Sequence, residues 1–561
     1  MKEMSDQVRG IIFVAAALVI LLVWQHFYKP PTPPPQPPAK SLQQATPAPQ
    51  QAAGAATSTT TPAKMFPPVA MGANAEKTVV VESPLYRVDM TNRGAVVRSW
   101  KLKKHFDDQK PPHPLELVNT EASQQLGWPF SVLFSDPNLD AQANSALYAI
   151  TPESEHFDAP ASVTFHWSDG HLDVTKKLTF DATYIVTAEA SATLDGKPLP
   201  VAIAWRGGFG DKAVYQASQL VNVFYKSGGK LNTLPFKKLG VPNNQAQPQI
   251  QTGPMEYEGI EDQFFTAAFL PDGTDLSLWH WTQYHNPVGG GESEPEAEMA
   301  AGTSAGGPLK VRVFVGPKDL ALLEKTQPPL EELVQFGWTG IIAKPVLFAL
   351  QWLHRYIPNY GWAIVVITLV INFALFPLKM KSWRSMQKMQ KVAPEIRQIQ
   401  DRYKKYTMRD PRKQKMNEEV MAIYQREGIN PMGSCLPMLA QMPIWWALWR
   451  VLNGAIELRH APWFWWIHDL SAKDPYYILP IAMTITMYVM TKMTPQTAAV
   501  DPTQQKMMQF MPLMFGVIFF RLSSGLNLYM FTSNLVGMAQ QYYLNRSEPL
   551  PAKGKFKNKK E

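Results

Sequence analysis

Residues 379–434 limit what this chain can fold into more than any other stretch. They carry fourteen Lys/Arg against six Asp/Glu and lie between two apolar segments, Trp362–Leu378 and Cys435–Leu452. Short loops rich in Lys and Arg stay on the cytoplasmic side of a membrane. The first apolar segment is therefore expected to enter from outside and end in the cytosol. The roughly 285 residues before it, from Lys77 onward, are expected to lie outside.

The chain has 561 residues and a net charge of +8, from 54 basic and 46 acidic side chains. The excess sits beside apolar segments, which points to anionic lipid rather than to nucleic acid. The one cysteine, Cys435, cannot form an internal disulfide, so an outer domain must hold by its core alone. Near the N-terminus Lys2 and Arg9 precede fourteen apolar residues, Ile11–Trp24, and Phe27 and Tyr28 follow. No small-residue cleavage site comes next, so 1–29 is expected to be an uncleaved signal-anchor helix. Residues 30–76 are Pro- and Ala-rich and are expected to be an extended, disordered tether.

From 77 to 327 the pattern is β. Thr78–Val81, Leu85–Met90 and Ala95–Leu102 read as strands, and the turn at Asn92-Arg93-Gly94 separates the last two. Val163–Trp167 and Leu172–Phe180 flank Ser168-Asp169-Gly170 as a hairpin, and Tyr184–Ala192 and Val201–Trp205 continue the series. This predicts a large all-β, antiparallel sandwich on the outer side of the membrane; it is a periplasmic domain if the family resemblance given below holds. His105, His113, His156, His166 and His171 show no metal-ligand spacing, so no metal is assigned.

Over 328–360 Leu333, Phe336, Ile341, Ile342, Val346, Leu347, Leu350 and Leu353 recur at helical spacing, interrupted at Pro345. This suits an amphipathic helix at the membrane boundary or one packed on the β domain. A five-helix core is expected over 361–546, with apolar segments at 362–378, 435–452, 477–491, 507–520 and 525–544. The total is six transmembrane helices with the N-terminal anchor. The last segment holds Asn527, Thr532, Ser533, Asn534, Gln540 and Gln541, which lipid cannot satisfy and which should face a protein interior or wet cavity. Within 379–434, Met389, Val392, Ile396, Ile399 and Tyr403 step by three and four. The run breaks at Arg409-Asp410-Pro411 and restarts at Met416, Val420 and Ile423. Two short helices forming a cytoplasmic hairpin follow from this pattern. Residues 547–561 are a basic tail expected in the cytosol.

Three segments resemble a known family. They are Asn430–Pro437 with Gln441-Met442-Pro443-Ile444; Trp466–Ser471 with Asp474–Pro480; and Ser524–Tyr529 with Ser533-Asn534-Leu535. Together they are similar to the YidC/Oxa/Alb family of membrane protein insertases, and the layout is similar to its Gram-negative form. The resemblance implies a non-enzymatic, cofactor-free insertase and chaperone in the bacterial inner membrane, with both termini cytoplasmic. It implies nascent membrane proteins as substrates. The Sec translocon, the ribosome (through the basic hairpin and tail) and anionic lipid are the other implied partners.

The resemblance further implies a hydrophilic groove, open to cytosol and lipid, lined by Thr368, Asn372, Gln441, Tyr529, Ser533 and Asn534. An apolar substrate slide would run along Met438, Met442, Met511 and Met514. Nineteen of the 26 methionines follow residue 360, and such side chains adapt to varied apolar partners. One departure stands out: the family usually carries an arginine where this chain has Asn372, and Arg450 and Arg521 are the candidate substitutes. Ordinary structural readings stay open beside these. Gln441 also suits backbone freed by Pro443, and Thr368 also suits a bond to its own helix. A transporter would show an internal repeat, and none is visible in 361–545. A periplasmic sugar-active enzyme would need paired carboxylates in the β domain.

Overall fold

A computed structural model describes residues 70–211, 221–235, 249–251, 255–272, 276–290, 293–303, 307–406, 410–429, 436–494 and 502–547. The expected anchor, tether and basic tail, and Cys435, fall outside these. The chain divides into two compact units. Among the described residues, one runs from 70 to 336 with Gly454–Glu457; the other comprises Gly337–Asn453 and the residues from Leu458 to Ser547.

The first unit is built from strands because its sequence alternates. Leu172–Phe180 buries every second side chain and leaves Asp173, Thr175, Lys177 and Thr179 half exposed. It pairs antiparallel with Ala161–Ser168 on one side and Ile185–Leu194 on the other. These strands belong to a ten-stranded sheet that continues through Leu309–Pro317, Phe265–Pro271 and Met255–Glu261. Two five-stranded sheets complete the unit. One contains Thr78–Glu82, Tyr86–Thr91 and Val96–Phe106; the other contains Leu276–His285, Glu294–Thr303 and Ala202–Trp205. Trp100, Phe130, Phe180 and Trp205 meet in the core with ring centroids 6.1–6.4 Å apart.

Three details depart from an all-β antiparallel reading. Helices α1 (Thr120–Leu126) and α2 (Pro137–Ser145) start at Asn119 and Asp136, whose side chains accept from backbone N–H groups of the first turn. A short helix α3 (Leu320–Leu323) follows the last strand. His156–Asp158 joins Thr78–Glu82 in parallel.

One inward position of Leu172–Phe180 is a lysine. Lys176 is fully buried, and its Nζ donates to the carbonyls of Gly94 and Phe130, both at 2.8 Å. Both acceptor residues have positive φ, +70° at Gly94 and +66° at Phe130. A side chain at 94 would also strike Asn144 O, so only glycine fits there. Burial drags the Lys176 amine down to about 7.

The second unit is helical. Residues Gly340–Tyr356 form α4, which runs through Pro345 without a break. The expected single helix over 328–360 is corrected here: Leu330 and Leu333 pack in the β core and Phe336 is buried in the first unit, so the helix begins later. Its outer face leaves Ile341, Phe348, Trp352 and Tyr356 exposed. Next come α5 (Tyr360–Ala374) and α6 (Phe376–Arg402), bent by 48° at Leu375. Pro377 lacks the N–H that a continuous helix needs at that point, which accounts for the bend.

The hairpin is α6 with α7 (Pro411–Arg426), and its seam contains Met389, Val392, Ile396, Ile399 and Ile423. Its first helix is not short, as expected from the sequence, but runs 27 residues from the bend. The chain ends its described part with α8 (Leu436–Gly454), α9 (Ile478–Met493), α10 (Pro502–Phe519) and α11 (Ser524–Ser547). Among the described residues no single helix is long and apolar enough to cross a membrane; the bent pair α5–α6 passes that test together.

Candidate functional site

One end of the helical unit is tied shut by main-chain contacts. The N-cap Asn359 accepts from Trp362 N at 3.1 Å and donates to Trp463 O at 3.0 Å. Trp463 lies against Gly361, where a Cβ would meet its ring at 2.2 Å. Asp474 is buried and accepts from Leu479 N, Tyr476 N and Trp466 Nε1 at 2.7–3.1 Å. Ser524 N and Gly525 N donate to Ala472 O and Leu470 O, both at 2.7 Å. Two of the segments that carried the family resemblance, 466–480 and 524–529, therefore bind each other.

Toward the other end lies a polar stripe between α5 and α11. Thr368 and Asn372 are fully buried one turn apart on α5. Thr368 Oγ1 donates to Ile364 O at 2.6 Å, a bond to its own helix. Asn372 Nδ2 donates to Thr368 O at 2.9 Å and to Ser533 Oγ at 3.2 Å. Lys379 Nζ reaches back across the bend to Asn372 Oδ1 at 2.9 Å and Gln540 Oε1 at 3.1 Å. Gln540 Nε2 closes the ring on Asn372 O at 3.1 Å.

The bend makes this ring possible. In a straight helix, residues seven apart are separated by about 10 Å of rise, and the 48° turn shortens that path.

The other expected groove residues lie apart from this ring. Gln441 Nε2 donates to Tyr529 OH at 3.1 Å, which brings these two expected groove residues together; among the described residues Gln441 is not a hydrogen-bond partner of Asn372. Asn534 turns toward α9, with Thr486 Oγ1 at 3.4 Å and Met483 O at 3.5 Å. Met442, Met511 and Met514 are exposed at 45%, 39% and 46%, on faces that also expose Leu439, Phe510 and Leu513. Met438 lies in α8, its side chain outside the described residues. Arg450 lies over the Trp449 ring at 6.0 Å and Arg521 is exposed; neither is a partner of Asn372.

Two members of the ring were not foreseen as groove residues, Lys379 and Gln540. A signal for both exists. Thr368, Asn372 and Lys379 step by four and seven, and so do Tyr529, Ser533 and Gln540. Lys379 reads as the first residue of the basic loop, which hides it.

Three buried carboxylates of the β unit have internal partners. Glu298 is buried beside Arg206, at 3.5 Å, and accepts from Gly207 N at 2.8 Å; burial still pushes its carboxyl up to about 7. Glu296 accepts from Asn119 at 2.7 Å, and Glu258 lies 2.7 Å from His280.

Residues 352–551 match the family described as 60Kd inner membrane protein, and residues 78–349 match the family described as YidC periplasmic domain. The chain is 33% identical over 478 residues to the membrane protein insertase YidC of Cupriavidus taiwanensis, covering 83% of this chain and 82% of that one. It is 32% identical over 492 residues to that of Syntrophus aciditrophicus, covering 85% and 86%. Among solved structures, the crystal structure of an active YidC insertase with its first transmembrane domain resolved matches at 19% identity. That match has a TM-score of 0.35 and covers 84% of this chain and 94% of that one.

Proposed function

The chain belongs to the YidC family of membrane protein insertases, and from that premise we propose that it inserts nascent inner-membrane proteins through the stripe between α5 and α11. The observation that carries this reading is the buried ring of Asn372, Ser533, Gln540 and Lys379. Such groups are costly in hydrocarbon unless they meet protein or water. Carrying a charged residue through the bilayer centre costs about 2.5–3.5 kcal/mol on insertion scales. A polar recess shortens the dry path, and the apolar segment of the substrate slides into lipid alongside it. Met442, Met511 and Met514 suit that sliding face because they adapt to varied apolar partners. Nothing in this sequence of events needs ATP or a covalent intermediate.

The chain crosses the membrane six times on this reading, counting 1–29, and both termini are cytoplasmic. The β unit is periplasmic and the α6–α7 hairpin cytosolic, where its basic surface meets substrate, ribosome or anionic lipid, beside the Sec translocon or without it. Cysteines placed at the exposed positions Asp158 and Gln414 separate the two sides: an impermeant thiol reagent should label only the first in intact cells. Removing 384–427 should abolish insertion while leaving the helices folded. The central test is insertion of a single-span substrate into proteoliposomes without nucleotide. Asn372→Leu should slow it; a wild-type rate in that variant would refute the groove.

A further inference from the structure

The tied end of the helical unit carries an aromatic tip. Residues 461–467 are all uncharged, and four of them in a row, Trp463, Phe464, Trp465 and Trp466, are aromatic. They form a closed turn. Trp463 N donates to Ile467 O and Ile467 N to Phe464 O, and Leu470 N returns to Ala461 O, each at 3.0 Å. The turn is fastened to the bundle through Asn359, which donates to Trp463 O, and through Asp474, which accepts from Trp466 Nε1. Its apex holds two large apolar side chains outward: Phe464 is 54% exposed and Trp465 82%. Trp465 sits at φ +44°, where a bulky residue is rarely found. Such strain persists only where the surroundings over-determine it, and it clusters at functional positions. The same end exposes Trp362, whose ring lies 5.8 Å from that of Trp463, and Tyr476 and Tyr477 just before α9.

We propose that Phe464 and Trp465 form a wedge set in the headgroup region of the outer leaflet, and that this wedge fixes the depth of the polar ring in the bilayer. The inference deepens the groove reading above and rests on its topology. Aromatic side chains with a polar tip favour the membrane–water boundary. The uncharged run suits that zone, and Arg459, His460, Asp469 and Lys473 bracket it on both sides. Because Asn359 is the N-cap of α5 and holds the turn, the depth of the turn sets the depth of α5. Asn372 lies ten residues beyond Trp362, about 15 Å of helix rise. The hydrocarbon core of a bilayer is about 30 Å thick. An anchor at the outer boundary therefore puts the ring near the middle, where a charged group in lipid is most costly.

The full chain in phosphatidylcholine vesicles provides the test, with spin labels on cysteines introduced in a Cys435→Ser background. A label on Trp465→Cys should be reached by dissolved oxygen and by a water-soluble nickel chelate to a similar extent, as in the headgroup zone. Free access for nickel would leave the turn in water, and access for neither would assign it to a protein contact; either result overturns the proposal. A second label goes on Val370→Cys, an exposed α5 position outside the ring. In the double variant Phe464→Ser/Trp465→Ser that label should change depth by about 3 Å, two residues of helix rise. Insertion of the single-span substrate should slow about threefold, because part of the crossing cost comes back. Both replaced side chains are exposed, so the fold is kept, and Trp465→Tyr should hold the wild-type depth. An unmoved Val370→Cys label overturns the depth role. Asn372→Leu in the same vesicles reads the groove separately: a full insertion rate there sinks the groove reading, while the two label depths still decide the wedge.

Discussion

Lys176 in the β unit and Lys379 at the helical bend both lose solvent without a carboxylate beside them, and they are held in opposite ways. Lys176 is clamped by two main-chain carbonyls inside a sheet core. Lys379 is held by two side-chain amides on two different helices. Backbone oxygens cannot turn away without unfolding something, whereas amide side chains can rotate. The first lysine is thus a fixed pin and the second a releasable hand. Burial of a cation alone does not mark a functional group; the mobility of its partners does.

The contrast breaks most easily at the pin. Lys176→Ala leaves two buried carbonyls without donors and opens a cavity, and should cost about 3 kcal/mol or more. Unfolding followed by hydrogen exchange around Gly94 and Phe130 would read it. The pin also has a pH signature. Its folded pKa of about 7 lies below the ordinary lysine value. The unfolded chain therefore binds more protons from about pH 7 upward, and stability rises with pH in that window. Between pH 7 and 8.5 the wild type should gain roughly 1–2 kcal/mol relative to Lys176→Met.

At the releasable site the effect appears in function, not in folding. Asn372→Leu should slow insertion about tenfold, the equivalent of one lost polar contact of ~1.4 kcal/mol. Asn372→Arg, neutral by the family's pattern alone, should slow insertion about threefold here, because a second cation faces Lys379. Combining it with Lys379→Gln should recover the rate, and a double variant no better than the single one would dissolve the contrast. Smallest of all, Arg426→Ala breaks its exposed pair with Glu395 at 2.7 Å and should change stability by under about 1 kcal/mol.

Much of the β unit was legible because period-two alternation writes itself into sequence. Leu172–Phe180 and its neighbours stand close to where the pattern put them. The hairpin seam was equally plain, since Met389, Val392, Ile396 and Ile399 follow helical spacing. What alternation cannot express is a charge on the inward side, so Lys176 was unremarked. The polar stripe between α5 and α11 was half legible. Asn372 and Ser533 come together, while Asn534, one residue on and some 100° around the same helix, turns to α9, and Gln441 on α8 bonds Tyr529. Lys379 was missed because a helix bend joins residues that linear reading assigns to a membrane segment and to a loop.

The bend carries a mechanical consequence. Helix α6 is continuous from Phe376 to Arg402, so Lys379 and the hairpin seam are two points on one lever pivoted at Leu375. Lys379 sits about 6 Å from the pivot and the far end about 40 Å, at 1.5 Å of rise per residue. A swing of ~10 Å at the hairpin tip is therefore geared down to ~1.5 Å at the ammonium, enough to break a hydrogen bond. If substrate docks on the hairpin, such a swing would lengthen the bond between Lys379 Nζ and Asn372 Oδ1. Replacing Met386 and Gln387 together by Gly softens the lever without changing its register. If hairpin and groove are geared together, that variant should insert slowly even though each half is intact.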